Sequence, residues 1–350
     1  MDFTFDDQQT AFRDSIRRFL TVEAAPELLR DIWETKTGRS GTLRAKLADQ
    51  GLLALSVPEA FSGMGLGDLD WALIQQELGY YAIPDSLTDT AYLAVELLKH
   101  LPDAKLKQQW LPKVAAGTVR IAVGHPVNPF VGDAETADVL LLWHKDEVHA
   151  VKPAGAKLTL NPSIDMSRRL YKVDWKPSPA TRVAPAARGK SLWAGVLDRG
   201  ALAAASQMLG LTQRMLDLSI DYGTQRKQFG KPIGSFQAVK HHLADVAVKA
   251  EFARPVVARA AYALAHGDKK ASVHVSHAKL AAGEAAVLAA RRSLQVHGAM
   301  GYTWEADLQM FMKRAWALDA AWGDRAFHKL RVADHILGPG ARLGPGETFN

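Results

Sequence analysis

Two stretches with helical spacing of apolar residues flank a strand-like segment, and this order constrains the fold most. Apolar residues recur at helical spacing in residues 1–116 and again in residues 191–338. Between them, short apolar runs alternate with turn-forming and charged residues, and seven of the 16 prolines lie from Pro126 to Pro185. The pattern predicts an α+β protein with an N-terminal helical domain (1–116), a small, shortened middle β domain (117–190) and a C-terminal helical domain (191–350).

The composition excludes several classes of protein. The chain has 350 residues, of which 48% are hydrophobic and 23% are charged, as in a soluble globular protein. It has no cysteine, which excludes disulfide bonds and thiolate chemistry, and no apolar run of about 18 residues that would predict a membrane span. The acidic segment of residues 1–7 lacks the layout of a signal peptide, so we expect a cytoplasmic protein.

The positive net charge favours an anionic ligand. The formal net charge is +6 and the pI is about 9.3. The lysines and arginines are scattered and match no nucleic-acid-binding motif, so no nucleic-acid partner is expected. His274 and His277 lie one helical turn apart, but two histidines without a third ligand are typical of a helix surface. No metal site is predicted.

Three long helices are predicted in the C-terminal domain. The first begins near residue 191 and carries a broad apolar surface. The second begins near residue 236, and we expect Pro255 to kink or interrupt it. The third runs from about Ser272 to Val296 and is rich in alanine, which allows close packing between helices.

Two motifs about 70 residues apart carry the most specific signal. The first reads Arg226-Lys227-Gln228-Phe229-Gly230 and is followed by Gln237; the second reads Gln295-Val296-His297-Gly298-Ala299-Met300-Gly301-Tyr302. In this order, and with the helix–strand–helix pattern of nearly the whole chain, they resemble the FAD-binding half-site of the acyl-CoA dehydrogenase family. The resemblance implies the acyl-CoA dehydrogenase-like fold, with a four-helix bundle as the C-terminal domain.

In that family the half-site serves the flavin of a neighbouring subunit. Arg226 suits the flavin pyrophosphate because a guanidinium makes charge-assisted hydrogen bonds with phosphate. The alternative is that Arg226 lies at a solvated helix end and that residues 298–301 form only a helix C-cap and turn. The resemblance implies that eight residues contact FAD across a subunit interface: Arg226, Gln228, Phe229, Ile233, Phe236, Gln237, Gln295 and Gly298.

The residues with which the family holds a subunit's own flavin are not matched. Where relatives have Thr-Glu-Pro and later Gly-Ser-Asp, this chain reads Val123-Gly124-His125-Pro126 and then Val127-Asn128-Pro129-Phe130-Val131-Gly132-Asp133. The family's Trp-(Ile/Val)-Thr segment has no counterpart here. The resemblance therefore does not extend to a flavin bound by this chain's own β domain.

The catalytic base of the family is also unmatched. Dehydrogenation of a CoA thioester needs a carboxylate that removes the α-proton while flavin N5 takes hydride from the β-carbon. The common glutamate position corresponds to Trp322, and a second position used by some members corresponds to Gly200, with Ala201 in place of the usual arginine. Because indole cannot accept a proton, no catalytic residue is assigned.

The preferred hypothesis is a subunit of a heteromeric acyl-CoA dehydrogenase (α2β2) that supplies the cross-subunit half-site to a second acyl-CoA dehydrogenase chain. By resemblance, the substrate is an acyl-CoA of steroid-derived or dicarboxylic type, and the acceptor is an electron-transfer flavoprotein. One alternative is a self-sufficient homo-oligomer with a relocated base, such as Asp198, Asp319 or Asp324. Another is a structural subunit that binds neither flavin nor CoA.

Overall fold

The computed structural model describes residues 4–342 and 344; residues 1–3 of the acidic N-terminal segment lie outside this part. Within it, six helices precede seven strands, and a second helical region of five helices with a small hairpin follows. The predicted order of helices, strands and helices is confirmed. The domain limits at residues 117 and 190 stay predictions.

The N-terminal helices pack their apolar faces into one core that continues into the rest of the chain. A reciprocal cap starts the first helix, because the Asp6 carboxylate accepts from Gln9 N at 2.7 Å and the Gln9 side chain accepts from Asp6 N at 3.2 Å. A π-helical turn, Thr88–Leu93, leads directly into the fifth helix. The helices are α1 (Asp7–Glu23), α2 (Pro26–Glu34), α3 (Gly41–Asp49), α4 (Asp68–Tyr80), α5 (Ala94–His100) and α6 (Ala104–Ala115).

The strands form two small sheets. They are β1 (Ile121–Gly124), β2 (Val131–Gly132), β3 (Val139–His144), β4 (Glu147–Val151), β5 (Ala156–Asn161), β6 (Leu170–Trp175) and β7 (Arg182–Ala184). The first sheet has the order β1-β3-β4-β7, with β1 parallel to β3, and the second has the order β2-β6-β5.

Alternate residues of β3 pack on opposite faces of its sheet. Val139 and Leu141 join the main core, while Leu140 and Leu142 join a second cluster with Tyr171. Because both faces are covered, the strand reads as a continuous apolar run rather than as an alternating one.

The C-terminal helices form a bundle that packs on α4. They are α7 (Ala186–Gln225), α8 (Gln237–Ala265), α9 (Ala271–His297), α10 (Leu308–Ala320) and α11 (Arg325–Ile336). A hairpin of β8 (Lys227–Gln228) and β9 (Lys231–Pro232) joins α7 to α8. Contact between α4 and α7 requires glycine, since a Cβ on Gly210 would stand 1.9 Å from Gln76 O and one on Gly79 would stand 2.1 Å from Gln207 O.

The expected interruption at Pro255 is wrong. Helix α8 continues through this exposed proline to Ala265. Ala253 and Val257, on either side of it, are buried in the bundle. Their packing offsets the roughly 3 kcal/mol that a proline costs inside a helix. In the part of the chain that the structure describes, no helix is long and apolar enough to cross a membrane.

Candidate functional site

The hairpin between α7 and α8 presents the first motif to solvent. Helix α7 ends at Gln225, and Arg226 is the first residue with an extended conformation. The hairpin closes where Arg226 O accepts from Ile233 N at 2.8 Å. Its two-residue loop is Phe229–Gly230, with φ of +52° and +80°. Two consecutive positive φ values match the twist of a tight hairpin, and asparagine–glycine is the preferred pair there.

Phe229 occupies this loop at a conformational cost. Its left-handed φ costs about 1–2 kcal/mol in a residue with a Cβ, and its side chain is 91% exposed. The ring makes an edge contact with Phe236, with centroids 6.1 Å apart. Lys231 Nζ lies 4.5 Å from the Phe236 ring centroid. The hairpin therefore holds two aromatic rings beside a cation at the surface.

Three helix ends bring the two motifs to one end of the bundle. Tyr222, near the end of α7, stacks on His297 at the end of α9, with centroids 4.4 Å apart. Gly223 of α7 contacts Gly234, just before α8, so closely that a Cβ on Gly234 would stand 3.0 Å from Gly223 O. Gln295 is exposed on the last turn of α9, and Gly298 ends that helix with φ +58°.

All eight half-site residues of the sequence analysis thus lie at this end. Ile233 and Phe236 are half-buried. The other six are exposed: Arg226, Gln228, Phe229, Gln237, Gln295 and Gly298. Arg226 does lie at a helix end and Gly298 does cap α9, as in the alternative reading. These local roles leave the Arg226 side chain and the Gly298 backbone free to contact a ligand. In residues 4–342 and 344, neither Arg226, Lys227 nor Lys231 forms an ion pair.

A second region contains Gly200 and Trp322, which the resemblance assigns to the two base positions of the family. Gly200 of α7 and Trp322, after α10, are in direct contact, since a Cβ on Gly200 would stand 2.3 Å from Trp322 Cδ2. A single indole therefore occupies both positions. Trp322 has φ +57°, so its surroundings must hold the backbone in place.

The backbone N–H and the backbone carbonyl of Trp322 both have hydrogen-bond partners. Its N–H donates to Asn128 Oδ1 at 2.8 Å, and its carbonyl lies 3.0 Å from His328 Nε2. The His125 ring centroid is 5.9 Å from that of Trp322. Burial lowers the pKa of His125 to about 4, and burial followed by the charge of Lys279 lowers the pKa of His328 to about 4. His125 and Asn128 belong to the segment that departs from the family's flavin-binding pattern.

The chamber beside Trp322 is small and charged. Its volume is about 110 Å³, and its wall includes Gly200, Ala203, Leu318 and Trp322 on the bundle side and Asp89 and Arg168 on the other. Two ion pairs close its edge: Arg39 with Asp133 at 2.6 Å, and Arg314 with Asp165. Burial, and then the charge of Asp133, raises the pKa of Asp89 to about 7.

The three candidate relocated bases lie elsewhere. Asp198 pairs with Arg331 at 2.7 Å and accepts from Ser272 Oγ at 2.6 Å. Asp319 pairs with Arg325 at 2.9 Å. Asp324 caps α11 by accepting from Phe327 N at 2.8 Å. None of the three lines the chamber.

Asp89 and Arg168 were not expected from the sequence to line the chamber. Asp89 lies in the π-helical turn and Arg168 lies between β5 and β6, so nothing in the sequence pattern connects them. Among the residues the structure describes, no group of three potential ligands around His274 and His277, or anywhere else, could hold a metal ion.

Known proteins match over nearly the whole chain. Models of the acyl-CoA dehydrogenase N-terminal and C-terminal domains match residues 6–118 and 187–337. The acyl-CoA dehydrogenase IpdE2 of Mycobacterium tuberculosis is 30% identical over 314 residues, which cover 88% of this chain and 91% of that protein. The chain belongs to the acyl-CoA dehydrogenase family. The resemblance stated from the two motifs is thereby confirmed.

Two solved structures share the acyl-CoA dehydrogenase fold of this chain. The ChsE4-ChsE5 complex from Mycobacterium tuberculosis matches with a TM-score of 0.87 at 23% identity, over 97% of this chain and 100% of that chain. A variant of the Tcur3481-Tcur3483 steroid ACAD matches with a TM-score of 0.83 at 22% identity, over 95% of this chain and 98% of that chain.

Membership of the acyl-CoA dehydrogenase family supports an oxidoreductase acting on acyl-CoA and implies FAD as cofactor. The exposed cations and aromatic rings of the half-site fit the pyrophosphate and ring systems of FAD. The chamber does not enclose the flavin, because a cavity of about 150 Å³ accommodates a single benzene ring, whereas isoalloxazine has three fused rings and the chamber, which is open on one side, has about 110 Å³.

Proposed function

We propose that this acyl-CoA dehydrogenase chain is one subunit of a hetero-oligomeric enzyme and contributes half of a flavin site across a subunit interface. One observation carries the proposal: the eight residues assigned to the half-site lie together at one end of the bundle, six of them exposed, while Trp322 against Gly200 narrows the chain's own chamber. A chain in this condition can serve a partner's flavin but not one of its own.

The hairpin supplies the binding interactions. Arg226 donates charge-assisted hydrogen bonds to the pyrophosphate, and Lys227 adds positive charge beside it. Gln228, Gln237 and Gln295 offer amide donors and acceptors to polar flavin or adenosine atoms. The bound FAD supplies the hydride acceptor.

The aromatic and glycine positions of the half-site complete the surface. Phe229 and Phe236 cover an apolar ring edge and exclude water from it. Gly298 lets the backbone approach the ligand, since no side chain stands over it. This contact explains why position 229 is phenylalanine, although asparagine would fit the turn better.

The carboxylate that removes the α-proton comes from the partner in this proposal. Neither base position of this chain has a carboxylate, and Asp198, Asp319 and Asp324 are engaged in pairs or caps away from the chamber. These engagements argue against the self-sufficient homo-oligomer.

The partner is a second acyl-CoA dehydrogenase chain, with two copies of each in a closed assembly. The two-component names of the ChsE4-ChsE5 complex and of the Tcur3481-Tcur3483 steroid ACAD support this arrangement, and the second name supports a steroid-derived acyl-CoA as substrate. A dicarboxylic acyl-CoA, an electron-transfer flavoprotein as acceptor and a cytoplasmic location stay predictions.

Purification with and without a partner tests the proposal. The chain alone should be colourless and inactive towards acyl-CoA. Coexpression with a longer acyl-CoA dehydrogenase chain should yield a yellow, active complex that contains both. An active yellow homo-oligomer would support the self-sufficient enzyme, and a complex in which this chain leaves flavin content unchanged would support a structural subunit.

A further inference from the structure

Positive charge exceeds negative charge around the chamber. Asp133 and Asp165 each form an ion pair with a single arginine. Asp85, which lines the chamber, is shared by Arg44 at 2.7 Å and Arg120 at 2.9 Å. One guanidinium charge is therefore unbalanced at Asp85, before Arg168 is counted.

Arg168 adds a further positive charge, which Asp165 and then Asp89 offset without an ion pair. In the described part of the chain it makes no ion pair, and its guanidinium makes one hydrogen bond, from Nη1 to Ala317 O at 3.1 Å. A guanidinium has five N–H donors, and Arg168 lines the chamber. Its neighbour Arg169 differs, because it donates to the carbonyls of Trp33, Thr35 and Met166. The Arg168 side chain is half-buried, and a cation with unpaired donors in a partly desolvated site favours an anion.

Asp89 complements Arg168 on the same wall. It forms no ion pair within residues 4–342 and 344, and its elevated pKa keeps it partly protonated near neutral pH. A protonated carboxyl donates one hydrogen bond, and a guanidinium donates two in parallel to a carboxylate. Together they form a donor set for a single carboxylate group.

The rest of the wall limits the size and polarity of an occupant. Ala203, Ala204, Leu318 and Trp322 give the chamber an apolar side. Since about 150 Å³ holds the six carbons of benzene, a chamber of about 110 Å³ holds a molecule of four or five heavy atoms. An ion with a carboxylate head and a very short apolar tail meets both requirements.

We propose that the chamber binds a carboxylate of two or three carbons, with the Arg168 guanidinium and the Asp89 carboxyl on its oxygens and the alanine, leucine and tryptophan wall around its tail. The ligand balances charge in a space too small for flavin. The site is separate from the hairpin half-site, so its test is independent of the proposed function.

Calorimetric titration of the full chain at constant ionic strength tests this site. Propionate should bind, whereas propionamide, which has nearly the same shape without the charge, should bind at least tenfold more weakly. Hexanoate should bind more weakly, because its longer tail must extend out of the open side of the chamber into water. Inorganic phosphate should also bind more weakly, because its oxygens would lie against the apolar wall without hydrogen-bond partners.

Variants test the role of Arg168. Arg168→Met should weaken propionate binding by about ten- to hundredfold, the loss expected for a charged hydrogen bond. Arg18→Met, which changes an exposed arginine of α1, is the matched control and should bind propionate as the wild type does. No binding of propionate, equal binding of propionamide, hexanoate or phosphate, or unchanged affinity in a folded Arg168→Met would each overturn the proposal. The comparison of propionate with propionamide needs no variant and stands if Arg168→Met does not fold.

Discussion

The indole of Trp322 lies against the Cα of Gly200, so closely that a Cβ at position 200 would stand 2.3 Å from Trp322 Cδ2. The two positions at which relatives place a proton-accepting glutamate are therefore one contact in this chain. The glycine leaves room for the indole, and the indole forms part of the chamber wall. A substitution at either position therefore alters the packing around the other.

A double-mutant cycle tests this contact. Gly200→Ala should destabilise the chain by about 1–3 kcal/mol through overpacking, and Trp322→Ala by about 3–5 kcal/mol through lost burial. In the Trp322→Ala background, Gly200→Ala should be nearly neutral, because the clash is gone. Gly195→Ala on the same helix is the control, since its Cβ would meet only the Arg199 side chain at 3.3 Å. Additive effects in chemical denaturation would show that the two residues do not interact.

Trp322→Phe should leave the chemical step largely intact. Indole has no proton-accepting atom, so the residue has no part in proton removal. Rapid-mixing measurement of flavin reduction in the assembled enzyme gives the rate of that step. A loss of about 100-fold or more, as on deletion of a general base, in a variant that stays folded would contradict this role.

Arg226→Ala should weaken flavin retention in the assembled enzyme by about ten- to hundredfold, the value of a charged hydrogen bond to phosphate. FAD content after dilution and gel filtration measures the loss. Arg18→Ala, at an exposed position of α1, should retain FAD as the wild type does. Equal FAD content in the two variants would remove Arg226 from the half-site.

Phe229→Asn should change stability and flavin retention in opposite directions. Asparagine tolerates the φ of +52° and precedes Gly230, so the hairpin should gain about 1 kcal/mol. Loss of the exposed ring should weaken FAD retention. Thermal unfolding of the chain and FAD content of the complex give the two readouts. If both quantities fall, or if FAD retention is unchanged, phenylalanine is not kept there for the flavin.

The pH dependence of stability should contain a contribution from His328. Its pKa of about 4 in the folded chain lies below the value near 6.5 expected when unfolded. Between these values the unfolded chain binds a proton that the folded chain does not, so this contribution to the free energy of unfolding falls as pH drops from about 6.5 to about 4. The lowered pKa of His125 acts in the same direction, and the raised pKa of Asp89 acts in the opposite direction.

His328→Gln isolates this contribution, because glutamine can replace both hydrogen bonds of the imidazole, to Ser276 and to the Trp322 carbonyl. The stability difference between wild type and variant should shift by about 1–3 kcal/mol in favour of the variant from pH 6.5 to pH 4. A constant difference would mean that His328 titrates normally in the folded chain.

The half-site residues could be proposed from the sequence because their motifs are local, but the way they meet could not. The contact of Tyr222 with His297 that joins the helix ends depends on tertiary packing. Trp322 and Gly200 were each identified as departures, yet their contact depends on how the turn after α10 packs against α7. The interruption expected at Pro255 does not occur, because burial of Ala253 and Val257 outweighs local propensity.

Asp89 and Arg168 show the limit of sequence reasoning most clearly. An aspartate in a helical turn and an arginine before a strand are ordinary surface residues by pattern. Only the fold brings both to the wall of one chamber, where each is partly buried. The raised pKa of Asp89 follows from that burial and from the neighbouring charge of Asp133, neither of which the sequence displays.

Flavin stoichiometry of the purified complex tests the central claim most directly. The account predicts about two flavins per four chains in an assembly with two copies of each chain, because only the partner supplies an isoalloxazine pocket. Protein and FAD can be quantified on the same sample after the mass of the complex has been measured. Four flavins per four chains, or a stable yellow assembly of this chain alone, would show that its own β domain binds FAD and would contradict the account.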